Sequence, residues 1–369
     1  MLLNRVFINA YDAVCATADS SEGIFDSICQ HRTGISLYNS LIHEKIVAIG
    51  KIKKEFSIEE ILKNTCSNIL KKSNLKDFSN TLLVIGSSVG GMQRTEEIFF
   101  STNSYSKINP SLHNINAIAY ILMKYFVFKD DISFSTACTS SANALGYGYE
   151  VIFKGIYDSV LVIGFDTLSH TTIQGFNSLG VLSSEPCNPF DISRTGMNVS
   201  EGIAALLLQK NPSSDCAVEL VGVGYSSDAH QMAHPSPNGE GALHSMKNAL
   251  KCAKLSAEDI GYINAHGTGT IANDSSEALA IATLFENKPY VSSTKSITGH
   301  TLGAAGALEA IICVLTLQKQ ILPPNTGLMN PENKDINYIY EPKIHQCRYA
   351  LSNSLAFGGN NTSLIFGCQ

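Results

Sequence analysis

Short apolar runs alternate with longer stretches of helical periodicity along most of the chain, and the alternation comes in two successive series. In the first, Thr81-Leu-Leu-Val-Ile-Gly86, Ser159-Val-Leu-Val-Ile-Gly164 and Ala204-Ala-Leu-Leu-Leu-Gln209 have the length and continuous hydrophobicity of buried strands, and helical periodicity runs over 114–126 and 140–153. The second opens at Val218-Glu-Leu-Val-Gly-Val-Gly224 and continues with helix 241–252, strand 260–265, helix 275–285, strand 290–293 and helix 300–317. Strands separated by helical crossovers predict an α/β fold, and two similar series predict a duplicated one. Proline and small polar residues in Lys210-Asn-Pro-Ser-Ser-Asp215 interrupt both periods, so the expected halves are 1–210 and 211–369.

Composition narrows the function. With 44% hydrophobic and 16% charged residues, the chain has the makings of a well-packed core. A net charge of −6, with no basic cluster interleaved with aromatics, speaks against a nucleic-acid footprint. Lys51, Lys53 and Lys54, and Lys71, Lys72 and Lys76, would serve as a local patch for an acidic partner, although solvated faces are the commoner origin of such groups. Ten cysteines without a Cys-x-x-Cys pair suit a reducing cytoplasm. Residues 1–9 are expected to form a first strand rather than a signal peptide. The apolar stretch 302–317 carries Glu309 and falls short of the roughly 20 residues a membrane span needs, which predicts a buried helix.

Three segments carry chemistry. Cys138 lies in Phe134-Ser-Thr-Ala-Cys-Thr-Ser-Ser-Ala-Asn-Ala-Leu, just before an alanine-rich helical pattern. A strand-to-helix elbow there would set the sulfur at a helix N-terminus and lower its pKa. Taken alone, the segment fits an inert buried thiol better, the commoner fate of such a residue. Asn264-Ala-His-Gly-Thr-Gly-Thr270 places His266 at a strand end, with glycines that admit a ligand and hydroxyls of Thr268 and Thr270 for an amide-bearing arm. No Gly-Lys-Ser/Thr ending follows, so a phosphate loop is the weaker reading. Val291-Ser-Ser-Thr-Lys-Ser-Ile-Thr-Gly-His300 repeats the arrangement and sets Lys295 and His300 at one end of the sheet.

Taken together with Asn188-Pro-Phe-Asp-Ile-Ser-Arg194 and Ser352-Asn-Ser-Leu-Ala-Phe-Gly-Gly-Asn360, these segments resemble the β-ketoacyl-carrier-protein synthases, specifically the elongating Cys-His-His class of the thiolase-like fold. The resemblance implies a duplicated five-layer α/β/α/β/α fold with mixed sheets, usually dimeric. It implies decarboxylative condensation on an acyl carrier protein, with no cofactor beyond the carrier's phosphopantetheine. By the same resemblance Cys138 takes the acyl group, and His266 and His300 act on the malonyl thioester with Lys295 in support. The N–H groups of Cys138 and Phe357 form an oxyanion hole, and Phe357 with Gly358 and Gly359 forms a gate. Thr268 and Thr270 meet the pantetheine arm, Glu277 is the buried acid near the lysine, and Glu309, Asn353 and Ser354 resemble a structural monovalent-cation site.

Two departures stand out. Arg194-Thr-Gly-Met-Asn-Val-Ser-Glu-Gly-Ile203 replaces the family's glycine-rich turn, and the histidines of Asp228-Ala-His-Gln-Met-Ala-His-Pro-Ser-Pro237 fall in unusual places. His230 and His234 are four apart, but Gln231 is not the acid of His-Glu-x-x-His, so a metal pair is not expected. A chain-length-factor subunit has the same fold but typically lacks the nucleophile. A degradative thiolase would use a second cysteine, a coenzyme A-primed synthase would show asparagine for the second histidine, and a Cys/His hydrolase leaves Lys295 unexplained. The Ala356-Phe-Gly-Gly-Asn-Asn361 ending looks closer to polyene or polyketide synthases, such as those for aryl polyenes, than to housekeeping enzymes. Those often pair with a chain-length factor, so the expected partner subunit is a second copy or such a homologue.

Overall fold

The first series folds as β1 (Phe7–Cys15), a hairpin of β2 (Ile35–Asn39) and β3 (Ile46–Gly50), then β4 (Leu82–Gly86), β5 (Asp130–Phe134), β6 (Ser159–Asp166) and β7 (Gly202–Gln209). The second gives β8 (Val218–Ser227), β9 (Tyr262–Asn264), β10 (Tyr290–Ser292), the two-residue strands β11 (Ile321–Leu322), β12 (Asn337–Tyr338) and β13 (Lys343–Ile344), then β14 (Tyr349–Leu355) and β15 (Asn360–Gly367). The computed structural model describes residues 4–39, 46–53, 57–214, 217–228 and 230–368. Lys54, Asp215, Cys216, Ala229 and the first three residues of the expected amino-terminal strand lie outside the described residues.

Among the described residues, eleven strands form one mixed sheet in the order β12-β10-β9-β14-β15-β8-β1-β7-β6-β4-β5. The order contains the duplication. From β1, the first half runs antiparallel to β7, antiparallel to β6, then parallel to β4 and β5. From β8, the second half runs antiparallel to β15, antiparallel to β14, then parallel to β9 and β10. The halves meet where Phe7 and Ile8 pair with Glu219 and Val218.

Side-chain alternation sets the layers, because successive residues of a strand point to opposite faces. On β6, Val160 and Val162 join a central cluster with Leu145, Ile152, Leu308 and Ile311, while Leu161 and Ile163 join an outer one with Leu62, Ile69 and Leu122. On β14, Ala350 faces the centre and Leu351 faces an opposite outer cluster with Met246 and Ile281. Two helices, Ser140–Phe153 and Ala305–Lys319, thus lie between the halves of the sheet, and the expected five layers result. They touch at Gly306, where an added Cβ would come within 2.7 Å of Ala142. The window Leu302–Lys319 is apolar enough for a membrane by composition, yet 89% of it is buried inside the fold.

Several boundaries move. β1 starts at Phe7, later than expected. The expected helix 114–126 contracts to Ala117–Leu122, its end tightened by Lys124 N donating to Ile121 O. The helix after His266 begins at Ile271, four residues early. His300 is not helical: a 3-10 turn at Leu302–Ala304 intervenes before Ala305. Of the basic groups, Lys72 Nζ donates to Tyr11 O at 3.0 Å and lies 3.5 Å from Asp12.

Candidate active site

Residues 135–139 must turn the chain from β5 into the central helix, and the turn is tight. Ala137 adopts φ 54°, a left-handed conformation that costs an L-residue about 1–2 kcal/mol. Its carbonyl accepts from Ser140 N at 3.0 Å, Ser140 Oγ at 2.6 Å and Ser88 Oγ at 2.9 Å. Cys138 follows, 8% exposed, just before the helix that starts at Ser140. The expected depression of its pKa is overturned, because burial pushes the thiol up to about 12. The positive charge of Lys295 and the N–H groups of Phe357 and of Cys138 itself act downward, and Asp166 acts upward.

His266 stands two residues beyond β9, on a loop held from below by acids of the next helix. Glu277 accepts from His266 N and Gly267 N, both at 2.8 Å. Asp274 accepts from Thr268 N at 3.0 Å, Gly269 N at 3.1 Å and Phe190 N at 2.8 Å. Gly269 has φ 82° with Gly196 O close by, so the turn requires glycine. Buried Arg194 approaches Asp274 at 3.8 Å and donates to Ser275 and Glu332.

His300 is clamped by the segment that departs from the family. His300 N donates to Asn198 O at 2.7 Å, and Ser200 N donates to His300 O at 2.9 Å. Asn198 is itself fixed by its side chain, which donates to Ala48 O and Glu185 O and accepts from Cys187 N. The replaced turn is therefore a rigid support. Leu302, two residues on, is left-handed at φ 52°.

These loops converge. His300 Nε2 lies 3.0 Å from Cys138 Sγ, and the His266 and His300 rings meet edge to face with centroids 5.2 Å apart. Burial, then the charge of Lys295, holds both histidines well below their usual pKa, with His300 a third contribution for His266, so both are neutral near pH 7. Lys295, 1% exposed, donates to His266 O at 2.5 Å, pairs with Glu309 and lies 3.4 Å from His266 Nδ1. A lysine has no acceptor to offer, so Nδ1 accepts and the His266 proton sits on Nε2. The ligand atoms of Cys138, His266 and His300 lie within 4.8 Å of one another, but the charge of Lys295 beside His266 opposes a bound cation.

A cavity of about 390 Å³ opens from Cys138, His266 and His300 past Thr268, Thr270, His234 and Phe357. Thr268 and Thr270 hydroxyls bond at 2.9 Å on its wall. Phe357 is half-buried beside Phe176, and Gly358 and Gly359 follow at φ 85° and 82°. Gly358 N donates to Met232 O at 2.7 Å, joining this turn to the 230–234 loop.

One assignment changes. The acid against Lys295 is Glu309, whose carboxyl burial raises to about 7, while Glu277 binds loop backbone. Of the expected cation set, Glu309 gives Oε1 to Lys295 and keeps Oε2 buried without a hydrogen-bond partner, and Asn353 bonds Glu277 and Ser363. Sequence reasoning missed Asp166, Asn198 and Asp274. A buried acid at the end of an apolar strand was the available signal for Asp166.

The chain matches the family models for the N-terminal domain of β-ketoacyl synthase over residues 58–213 and the C-terminal domain over 217–329. It is 36% identical over 307 residues to 3-oxoacyl-[acyl-carrier-protein] synthase 2 of Coxiella burnetii, covering 77% of this chain and 74% of that protein. A putative mitochondrial 3-oxoacyl-[acyl-carrier-protein] synthase of Schizosaccharomyces pombe is 33% identical over 359 residues, covering 86% and 82%. Among solved structures, a ketosynthase in complex with its chain length factor from Xenorhabdus doucetiae superposes with TM-score 0.90 at 31% identity, covering 99% of this chain and 98% of that one. A β-ketoacyl synthase from Burkholderia phymatum gives 0.89 at 27% identity, covering 99% and 100%. With that fold and the Cys138, His266 and His300 group at its centre, the chain belongs to the β-ketoacyl synthase family.

Proposed function

We propose that the protein condenses an acyl group held on Cys138 with a malonyl group on an acyl carrier protein, releasing CO₂. The observation that carries this is the convergence of a thiol and two neutral histidines, 3.0 Å from Sγ to His300 Nε2, on one cavity. In the first step the Sγ–acyl bond forms, the carrier's C–S bond breaks, and the thiol proton ends on the departing pantetheine sulfur. The N–H groups of Cys138 and Phe357, which both favour the thiolate, stabilise the oxyanion.

In the second step the malonyl carbon–carboxylate bond breaks and its electron pair forms an enolate. Neutral His266 and His300 each offer the enolate oxygen an N–H, and Lys295 keeps the His266 proton on Nε2. The enolate carbon then bonds the acyl carbon, the C–Sγ bond breaks, and the sulfur takes up one proton. Thr268 and Thr270 line the pantetheine path, and Phe357 with its two glycines gates it.

The repeated strand order and the two family matches support halves of 1–210 and 211–369. The likeness to a ketosynthase in complex with its chain length factor supports a second subunit of this fold, and the resemblance at residues 356–361 supports a polyene or polyketide pathway. Free buried thiols at Cys15, Cys66 and Cys313 support work in the cytoplasm. The test is incubation with acyl- and malonyl-carrier proteins, adding a chain-length-factor homologue in a second arm. A β-ketoacyl product extended by two carbons is expected; malonyl consumption without extension in both arms contradicts the reading.

A further inference from the structure

We propose that Asp166 is a positioning residue that holds Cys138 and His300 in register across the two halves of the fold. It is the last residue of β6 and fully buried. Oδ1 accepts from Ser87 Oγ at 2.7 Å and Val89 N at 3.0 Å, Oδ2 accepts from Gly303 N at 2.6 Å, and Ser88 N reaches both oxygens at 3.0–3.1 Å. Ser88 Oγ in turn donates to the carbonyl of Ala137. One carboxylate thus supports the residue before the nucleophile through Ser88, and the turn just after His300 directly.

Both supported points are strained. Ala137 and Leu302 are left-handed without being glycine, at φ 54° and 52°. Such conformations persist where neighbours over-determine them, and they concentrate at functional sites. Ala137 precedes Cys138, and Leu302 lies between His300 and Gly303. Every partner of Asp166 is a donor, so the site calls for an acceptor on both oxygens. Gly303 is shaped for this contact, since a Cβ there would come 2.7 Å from Oδ2. The charge of Asp166 opposes a Cys138 thiolate, which separates its role from thiol activation.

Asp166→Asn keeps the shape and turns one acceptor into a donor; Ser88→Ala cuts the arm to the elbow alone. The inference rests on the proposed roles of Cys138 and His300, so one readout is independent of condensation: alkylation of Cys138 by iodoacetamide, followed by intact mass. Asp166→Asn should change that rate at least about tenfold and lower kcat for condensation by a similar factor, with KM for malonyl-carrier protein within about twofold. Ser88→Ala should slow acylation about threefold to tenfold while leaving malonyl decarboxylation by pre-acylated enzyme near the wild-type rate. Folded Asp166→Asn with wild-type alkylation and kcat overturns the proposal, as does a loss matched by the unfolded fraction in circular dichroism. Should Asp166→Asn not fold, wild-type acylation and alkylation in Ser88→Ala overturn it.

Discussion

The two halves share one strand order but use the same crossover differently. In the first, residues 135–139 lead from β5 into the central helix at Ser140; in the second, residues 293–304 lead from β10 into its counterpart at Ala305. The short crossover has room for a single strained elbow, which carries Cys138. The long one folds into a helical turn, Lys295–Thr298, a glycine at φ 69°, and His300 before the helix resumes. The two crossovers are equivalent in strand order, and their lengths set what each brings to the cavity: a cysteine from the short one, a lysine and a histidine from the long one.

If the division of labour is real, each side breaks in its own way. Cys138→Ala should abolish product altogether. His266→Ala and His300→Ala should lower condensation by about 10²–10³, the cost of losing one preorganised donor, while acylation persists. Product analysis at matched enzyme concentration checks both; wild-type product from either histidine variant would break the comparison.

Next in size is the buried pair behind the second crossover. Lys295→Met leaves Glu309 buried without its partner and should cost about 3–5 kcal/mol in denaturant unfolding. Adding Glu309→Gln removes the stranded charge and should recover much of that loss without restoring rate.

The turn after Phe357 offers a smaller effect. Gly358 is open to a Cβ on all sides but sits at φ 85°, so Gly358→Ala should cost about 1–2 kcal/mol by backbone strain alone. Equal stability of variant and wild type would show that the turn adapts.

Acid–base behaviour sharpens the first half. A thiol pushed up to about 12 is protonated at pH 7 and loses its proton as pH rises. Alkylation of the resting enzyme should therefore climb about tenfold per pH unit between pH 7 and 9, without a plateau. A plateau below pH 7 would mean that the elbow sustains a thiolate.

Much of this was legible in the chain. Cys138, His266, Lys295 and His300 sit in local patterns of glycine, threonine and small residues, and strand ends bring such patterns together. What was not legible depends on facing. Glu277 and Glu309 both follow histidine loops on helices, and only packing decides that Glu309 meets the lysine while Glu277 turns to backbone. Asp166 draws its donors from 87–89 and from Gly303, far off in sequence. The pKa of Cys138 was misjudged because the helix end was visible in the sequence and the depth of burial was not.

The most direct test is intact mass after incubation with acyl-carrier protein, before and after malonyl-carrier protein is added. Wild type should gain the acyl mass and then lose it, Cys138→Ala should never gain it, and the two histidine variants should gain and keep it. An unmodified wild type, or a Cys138→Ala chain acylated as readily as wild type, would contradict the account.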